Sequence, residues 1–272
     1  MPRPILFLSD YGLDDEFVGV VHAVIARIAP GVRVIDLTHG IPPRDFRRGA
    51  VVLADAVPYA PANAVFLAVV DPGVGTSRLP VVVQARDAFL VGPDNGVLSL
   101  ALEALGGADR AFVIESDQIT LSPMAATFHG RDVFAPAAAY IAGGGSPEDL
   151  GRALDPSRMR TVPSPRAVAQ PGTVRCQVIG VDRFGNAQLS AGKDDLLRAG
   201  LDRLTELAIR LEGKTYPLPR AGTFAEVPEG RAALILDSTG RLAITVNRGS
   251  AAESLNLRVG DSVEFFVPGR GR

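Results

Sequence analysis

Through its first 155 residues the chain alternates short, unbroken apolar runs with longer stretches whose apolar residues recur every three or four positions. Runs of the first kind are strands buried on both faces. Stretches of the second kind are helices with one apolar stripe, so this part of the chain is confined to strand and helix units around a mainly parallel sheet. The strands are expected at residues 5–8, 32–37, 64–70, 81–83 and 111–114. Phe17, Val20, Val21, Val24, Ile25 and Ile28 give the first helix its stripe, and Asp14, Asp15 and Glu16 suit its amino terminus, which predicts a helix over 14–29. Weaker patterns predict helices over 48–57, 97–105 and 131–142, the last stopped by Gly143-Gly144-Gly145. Ser146-Pro147-Glu148-Asp149 then starts a short further helix.

The texture changes after residue 155. Residues 156–172 hold four prolines and little periodicity, as a linker between a 1–155 domain and a 173–272 domain would. Beyond it, residues 173–181, 207–211, 232–236, 242–246 and 262–267 are strand-like, with turns at Glu212-Gly213-Lys214 and Ser238-Thr239-Gly240. A small all-β domain is expected.

Composition excludes several classes. Lys plus Arg number 28 against 30 Asp plus Glu, a net charge of -2, which removes the electrostatic footprint of a protein that grips nucleic acid. No apolar stretch approaches a membrane span, and the short apolar run ended by Ser9 and Asp10 is less than a signal peptide needs. One cysteine, Cys176, forms no internal disulfide, and with three histidines of unrelated spacing it makes no zinc site of the usual kind. A cytoplasmic, reducing location and a metal-free chemistry are expected.

Polar clusters sit where strands should end: Ser9-Asp10-Tyr11-Gly12, Asp71-Pro72-Gly73-Val74-Gly75-Thr76-Ser77-Arg78, Pro93-Asp94-Asn95-Gly96 and Phe128-His129-Gly130-Arg131-Asp132. Ligands of open α/β sheets bind outside the carboxyl ends of strands, so these loops are candidates for one site. Each alone has an ordinary reading, since a carboxylate after a strand also caps helices and turns. His22 reads as a packing or surface residue of the first helix. His39 either braces its loop or touches a ligand, and His129 is either a helix-start residue or a group near neutral pKa that handles a nucleophile. In the second domain Asp182-Arg183-Phe184-Gly185-Asn186 and Asn247-Arg248-Gly249-Ser250 read first as turns, and Phe184 beside Asn186 also offers a stacking face with an amide. The dinucleotide fingerprint fails because Arg78 stands where a third glycine would, and neither the Gly-Lys-Ser/Thr of a phosphate loop nor a nucleophile elbow occurs.

Taken in order, these clusters resemble the S-adenosyl-L-methionine hydroxide adenosyltransferases, relatives of the fluorinases and chlorinases. The resemblance spans nearly the whole chain. It implies an amino-terminal α/β domain, a smaller carboxy-terminal β-barrel domain, and a homotrimer that binds substrate between the first domain of one subunit and the second of its neighbour. It implies hydrolysis of S-adenosyl-L-methionine to adenosine and L-methionine without a cofactor. Asp71, Arg78 and His129 match the family's water-activating set. Asp10 matches the carboxylate on the ribose hydroxyls, Asp182 the acid near the methionine ammonium, Phe184 and Asn186 residues at the adenine and methionine end, and Arg248 the group on the methionine carboxylate. The alternatives are a halogenase on the same sulfonium and a non-catalytic sensor of the same ligand.

Overall fold

A computed structural model describes residues 2–211 and 213–267. The chain divides into two compact units, Met1–Pro163 and Ser164–Arg272. In the first unit, seven strands form one sheet in the order β2-β1-β3-β5-β4-β6-β7. They are β1 (Ile5–Ser9), β2 (Val34–Thr38), β3 (Val65–Val69), β4 (Pro80–Ala85), β5 (Ala88–Pro93), β6 (Arg110–Val113) and β7 (Ala153–Leu154). β1 pairs in parallel with β2 and β3, and β3 with β5, while β4 runs against β5 and β6, and β7 against β6. Five of these seven strands therefore point one way, a mainly parallel sheet.

Alternation along β1 shows how both faces are covered. Ile5 and Phe7 join a core with Val18, Val21 and Ile25 of α1 (Phe17–Ile28), whereas Leu6 and Leu8 join the opposite core with Leu53 of α2 (Phe46–Ala56) and Ala101 of α3 (Ser99–Leu105). α1 and α2 thus lie on opposite faces. β1 connects through α1 to β2 on one side, and the chain then returns through α2 to β3 on the other, so the sheet has a topological switch point between β1 and β3.

The first helix starts at Phe17, later than expected: Glu16 is its cap residue, Asp14 and Asp15 precede it, and no side chain caps its first turn. The expected 131–142 helix is a π-helical turn, Gly130–Phe134, followed by α4 (Ala135–Ala142). Pro136 has no N–H to continue a regular ladder at that junction. The segment from Ser146 is a 3₁₀ turn, Pro147–Leu150.

The second unit is a nearly closed antiparallel barrel in the order β12-β11-β15-β9-β10-β14-β13, with β8 on β9 and one bridge, Arg220 to Leu234, near the open seam. Its strands are β8 (Val168–Gln170), β9 (Thr173–Val181), β10 (Ala187–Gly192), β11 (Glu206–Leu211), β12 (Lys214–Pro219), β13 (Ala232–Leu236), β14 (Arg241–Val246) and β15 (Ser262–Phe266). Its interior holds Val174, Val178, Leu189, Leu207, Ile209, Leu234, Ile244, Val263 and Phe265. This is the expected β-barrel domain, with two short helices, α5 (Lys193–Ala199) and α6 (Ala251–Ser254), between its strands. Asp195 accepts the Gly192 N–H at 2.8 Å and so fixes the start of α5. Glu212 of the expected 212–214 turn, and residues 268–272 of the expected domain, lie outside the described residues. Among the described residues no helix is long and apolar enough to cross a membrane.

Candidate functional site

Asp10 and Asp71 follow β1 and β3, the two strands that flank the switch point. The loop after β3 folds back so that Arg78 meets Asp71. Thr76 Oγ donates to the Gly73 carbonyl at 2.6 Å, and the Gly73 N–H donates to Asp71 Oδ1 at 3.2 Å. Gly75 has φ 76°, and a Cβ there would stand 2.8 Å from the Ala126 carbonyl oxygen, so the loop closes only with glycine. Arg78 Nε lies 3.0 and 2.9 Å from the two Asp71 oxygens, and Arg78 Nη2 also donates to Asp71 Oδ2. Both side chains are deeply buried, at 7% and 6% exposure.

His129 completes the cluster at the start of the π-helical turn, with Nδ1 3.0 Å from Arg78 Nη2. A guanidinium only donates, so Nδ1 is the acceptor and the ring's proton sits on Nε2. Burial, and next the Arg78 charge, hold the His129 pKa below its ordinary value, against the opposing pull of Asp71 and Asp132. The imidazole is therefore neutral at pH 7 and presents an N–H. Arg78 Nη1 is buried and has no hydrogen-bond partner among the described residues, although its guanidinium carbon stacks 5.0 Å over the Phe134 ring. An unspent buried donor of this kind costs roughly 1–3 kcal/mol unless something is bound to it.

Asp10 accepts the Arg44 N–H at 2.7 Å, from a backbone with φ 68° at Arg44. Burial raises the Asp10 pKa, the Arg44 bond lowers it, and nearby Asp71 adds to the rise. Tyr11 packs edge-on against Phe7 and Phe128 and tilted against Phe17. Burial, with Asp10 and Asp71 adding, pushes its phenol well above the usual range, so it stays protonated. The Pro93-Asp94-Asn95-Gly96 cluster is a brace: Asn95 Nδ2 donates to the Val70 carbonyl at 2.8 Å, beside Asp71, and Asp94 accepts the Arg160 N–H at 2.8 Å. Arg131 and Asp132 pair with each other, and buried Asp132 also accepts the Ala125 N–H at 2.8 Å.

In the barrel unit, Phe184, Asn186 and Arg248 line one cavity of about 510 Å³ together with Phe224, Val246 and Gly249. Asp182 does not line it. Its carboxylate accepts the N–H groups of Phe184 and Asn186 at 2.8 and 2.9 Å and the Asn186 amide at 2.7 Å, which holds the turn that presents those residues. Phe184 is 70% exposed, and Arg248 forms an open ion pair with Glu229 at 3.1 Å. The sequence gives no signal for Phe224, because only the barrel's closure brings residue 224 to the turns at 184 and 248.

The histidine spacing also misleads. α1 and β2 bring His22, Asp36 and His39 together, with one ligand-type atom of each within 4.8 Å of the others. His39 Nδ1 is 2.7 Å from Ser9 Oγ, and its carbonyl accepts the Gly12 N–H at 2.8 Å, so His39 does brace the loop that carries Asp10.

Two family models cover most of the chain: the SAM hydroxide adenosyltransferase N-terminal domain matches residues 5–151 and the corresponding C-terminal domain residues 176–264. A protein of Salinispora tropica named (R)-S-adenosyl-L-methionine hydrolase is 46% identical over 96% of this chain and 97% of its own length. A fluorinase of Actinoplanes is more distant, 27% identical over 95% and 96% of the two chains. The solved structure of an uncharacterized conserved protein from Thermotoga maritima superposes with a TM-score of 0.91 at 36% identity, covering 96% of this chain and 99% of that one. The chain belongs to the SAM hydroxide adenosyltransferase family.

Proposed function

We infer that this chain hydrolyses S-adenosyl-L-methionine to adenosine and L-methionine, with Asp71, Arg78 and His129 activating the water. The observation that carries this reading is the unspent, buried Arg78 Nη1, joined through its own guanidinium to Asp71 and to a neutral His129. A developing hydroxide needs such fixed donors, and bulk water with a pKa of about 15.7 does not supply hydroxide unaided. Water attacks the ribose 5′ carbon, the C–S bond breaks, and both electrons of that bond leave with sulfur. The sulfonium becomes a neutral thioether, so no acid is needed for the leaving group. The water's second proton is the only one to place. His129 Nδ1 has a single lone pair and Arg78 takes it, whereas the Asp71 carboxylate has about four acceptor sites and keeps capacity beyond its bonds to Arg78 and Gly73, so Asp71 is the acceptor within the set, with Arg78 and the His129 Nε2–H holding the oxygen.

Asp10 takes the ribose hydroxyls, a task for an ionised carboxylate. Phe184 and Asn186 receive the adenine and methionine end, Arg248 forks onto the methionine carboxylate once released from Glu229, and Asp182, behind the cavity wall, holds their turn and sets a negative charge near the ammonium. The assembly that belongs to this reading is a homotrimer whose sites draw on both units. No cofactor takes part, and a cytoplasmic location fits a sulfonium substrate made and used inside cells. Water is favoured over a halide because the Asp71 carboxylate gives the proton that water releases an acceptor, a group for which a halide has no use and whose charge repels it. In a substrate derived from L-methionine the variable stereocentre is sulfur, so the (R) prefix of the relative's name makes both sulfonium configurations necessary substrates to compare.

The test is turnover of each sulfonium epimer in ¹⁸O-water, with and without chloride and fluoride. Adenosine labelled at its 5′ oxygen, formed in equal amount with L-methionine and independent of halide, is the expected result. A halogenated nucleoside, or substrate binding without products, overturns it.

A further inference from the structure

The cluster of His22, Asp36 and His39 lies outside the proposed chemistry. His22 Nε2 is 2.8 Å and His39 Nε2 is 3.0 Å from the same oxygen, Asp36 Oδ1. The His39 side chain is only 3% exposed, yet its Nε2 lacks hydrogen-bond alignment with Asp36 and has no other partner among the described residues. On the far side of the ring, Nδ1 meets Ser9 Oγ at 2.7 Å. If Nδ1 donates there, Nε2 carries a bare lone pair aimed at the cluster. A ligating histidine is oriented in this way, with its other ring nitrogen fixed by a hydrogen bond.

We propose that His22 Nε2, Asp36 Oδ1 and His39 Nε2 form a binding site for a divalent zinc-class ion, with water completing the coordination. Two imidazoles and one carboxylate are a three-ligand set that suits zinc and its neighbours. Bonds of about 2.0–2.1 Å to a tetrahedral ion put neighbouring ligand atoms about 3.3 Å apart. The observed 2.8 and 3.0 Å to Asp36 Oδ1 need to open by a few tenths of an ångström, and the His22 and His39 atoms, within 4.8 Å of each other, adjust to the same spacing as the half-exposed His22 ring turns. His22 and Asp36 are 35% and 43% exposed, which gives the ion a way in, while buried His39 closes the inner side. The ion is a tether and takes no part in the displacement. It would join α1 to β2 and, through Ser9 Oγ and the His39 carbonyl, stiffen the turn that carries Asp10, Tyr11 and Gly12.

The full chain, stripped with chelator and dialysed, is titrated with Co²⁺ and with Zn²⁺. The expected result is one ion per chain by equilibrium dialysis, visible d–d absorption from the cobalt form, and a higher Tm for the zinc form. His22→Ala, His22→Gln and Asp36→Asn each weaken binding at least tenfold and abolish the Tm response while circular dichroism shows the native fold. His22 and Asp36 are surface groups, and His22→Gln keeps the side chain's bulk should alanine disturb α1. Absence of stoichiometric binding by the folded wild-type chain, or binding unchanged in the folded variants, overturns the proposal whether or not the chain hydrolyses the sulfonium.

Discussion

Gly130→Ala probes the coupling between the His129 segment and the Asp10 loop. Gly130 is buried, and a Cβ added to it would stand 2.0 Å from the Tyr11 hydroxyl oxygen and 3.1 Å from its Cζ. Ordinary contact begins near 3.4 Å, so the hydroxyl must retreat by about 1.4 Å. It cannot swing aside freely, because the ring is held by Phe7, Phe17 and Phe128 at centroid distances of 6.5, 5.7 and 5.9 Å. Overpacking of this kind costs about 1–3 kcal/mol. At about 2–4 °C per kcal/mol for a domain of this size, Tm falls by roughly 2–12 °C. Tyr11 follows Asp10 directly, so the displaced ring moves the proposed ribose carboxylate, and KM rises about tenfold, equivalent to about 1.4 kcal/mol. Adding Tyr11→Phe removes the atom with the worst overlap and restores a large part of both losses. Scanning calorimetry and initial rates on the two variants provide the measurement. A Gly130→Ala protein with wild-type Tm and KM, or a double variant no better than the single, refutes the reasoning.

Three further outcomes follow from the site. Because the folded His129 pKa lies below 6.5, the unfolded chain binds more protons between that depressed value and 6.5, so this residue's contribution to stability rises with pH there and is lost on acidification. The acid limb of the kcat/KM profile is accordingly centred below 6.5, and an acid limb centred at or above 6.5 contradicts the neutral-imidazole assignment. Asp10→Ala weakens substrate binding by about 10- to 150-fold, the equivalent of about 1.5–3 kcal/mol for charge-assisted bonds, with little change in Tm because the exposed Arg44 amide turns to water; unaltered calorimetric affinity removes Asp10 from the ribose site. Asp71→Asn and Arg248→Ala chains, each nearly inactive, regain activity when refolded together if sites draw on different subunits, whereas a mixture no better than its parts places each site within one chain.

The sequence made the first sheet's central strands plain because β1 and β3 are continuous apolar runs, buried on both faces. β5 was hidden by Gly92-Pro93, which reads as a turn but pairs with β4 up to Pro93 opposite Pro80. β12 carries Pro217 and Pro219, and an edge position tolerates what a central strand would not. The candidate site was legible wherever its residues stand in dense polar clusters at strand ends, as Asp10, Asp71, Arg78 and His129 do. Two features were not. The direction of the Arg78–His129 contact, which makes His129 a donor, depends on tertiary geometry. The meeting of His22, Asp36 and His39 depends on α1 lying over the β1–β2 edge, and no linear spacing of histidines encodes that.

The central claim is that Asp71, Arg78 and His129 act on the water and not on the substrate's ground state. It is tested most directly by measuring Kd by calorimetry and kcat by adenosine release for Asp71→Asn, a change that keeps the shape and removes the charge. A large fall in kcat with Kd held within a few fold is the expected result, since an interaction made only in the transition state is lost. A Kd that rises in proportion to the loss of rate would make Asp71 a substrate clamp and contradict the claim.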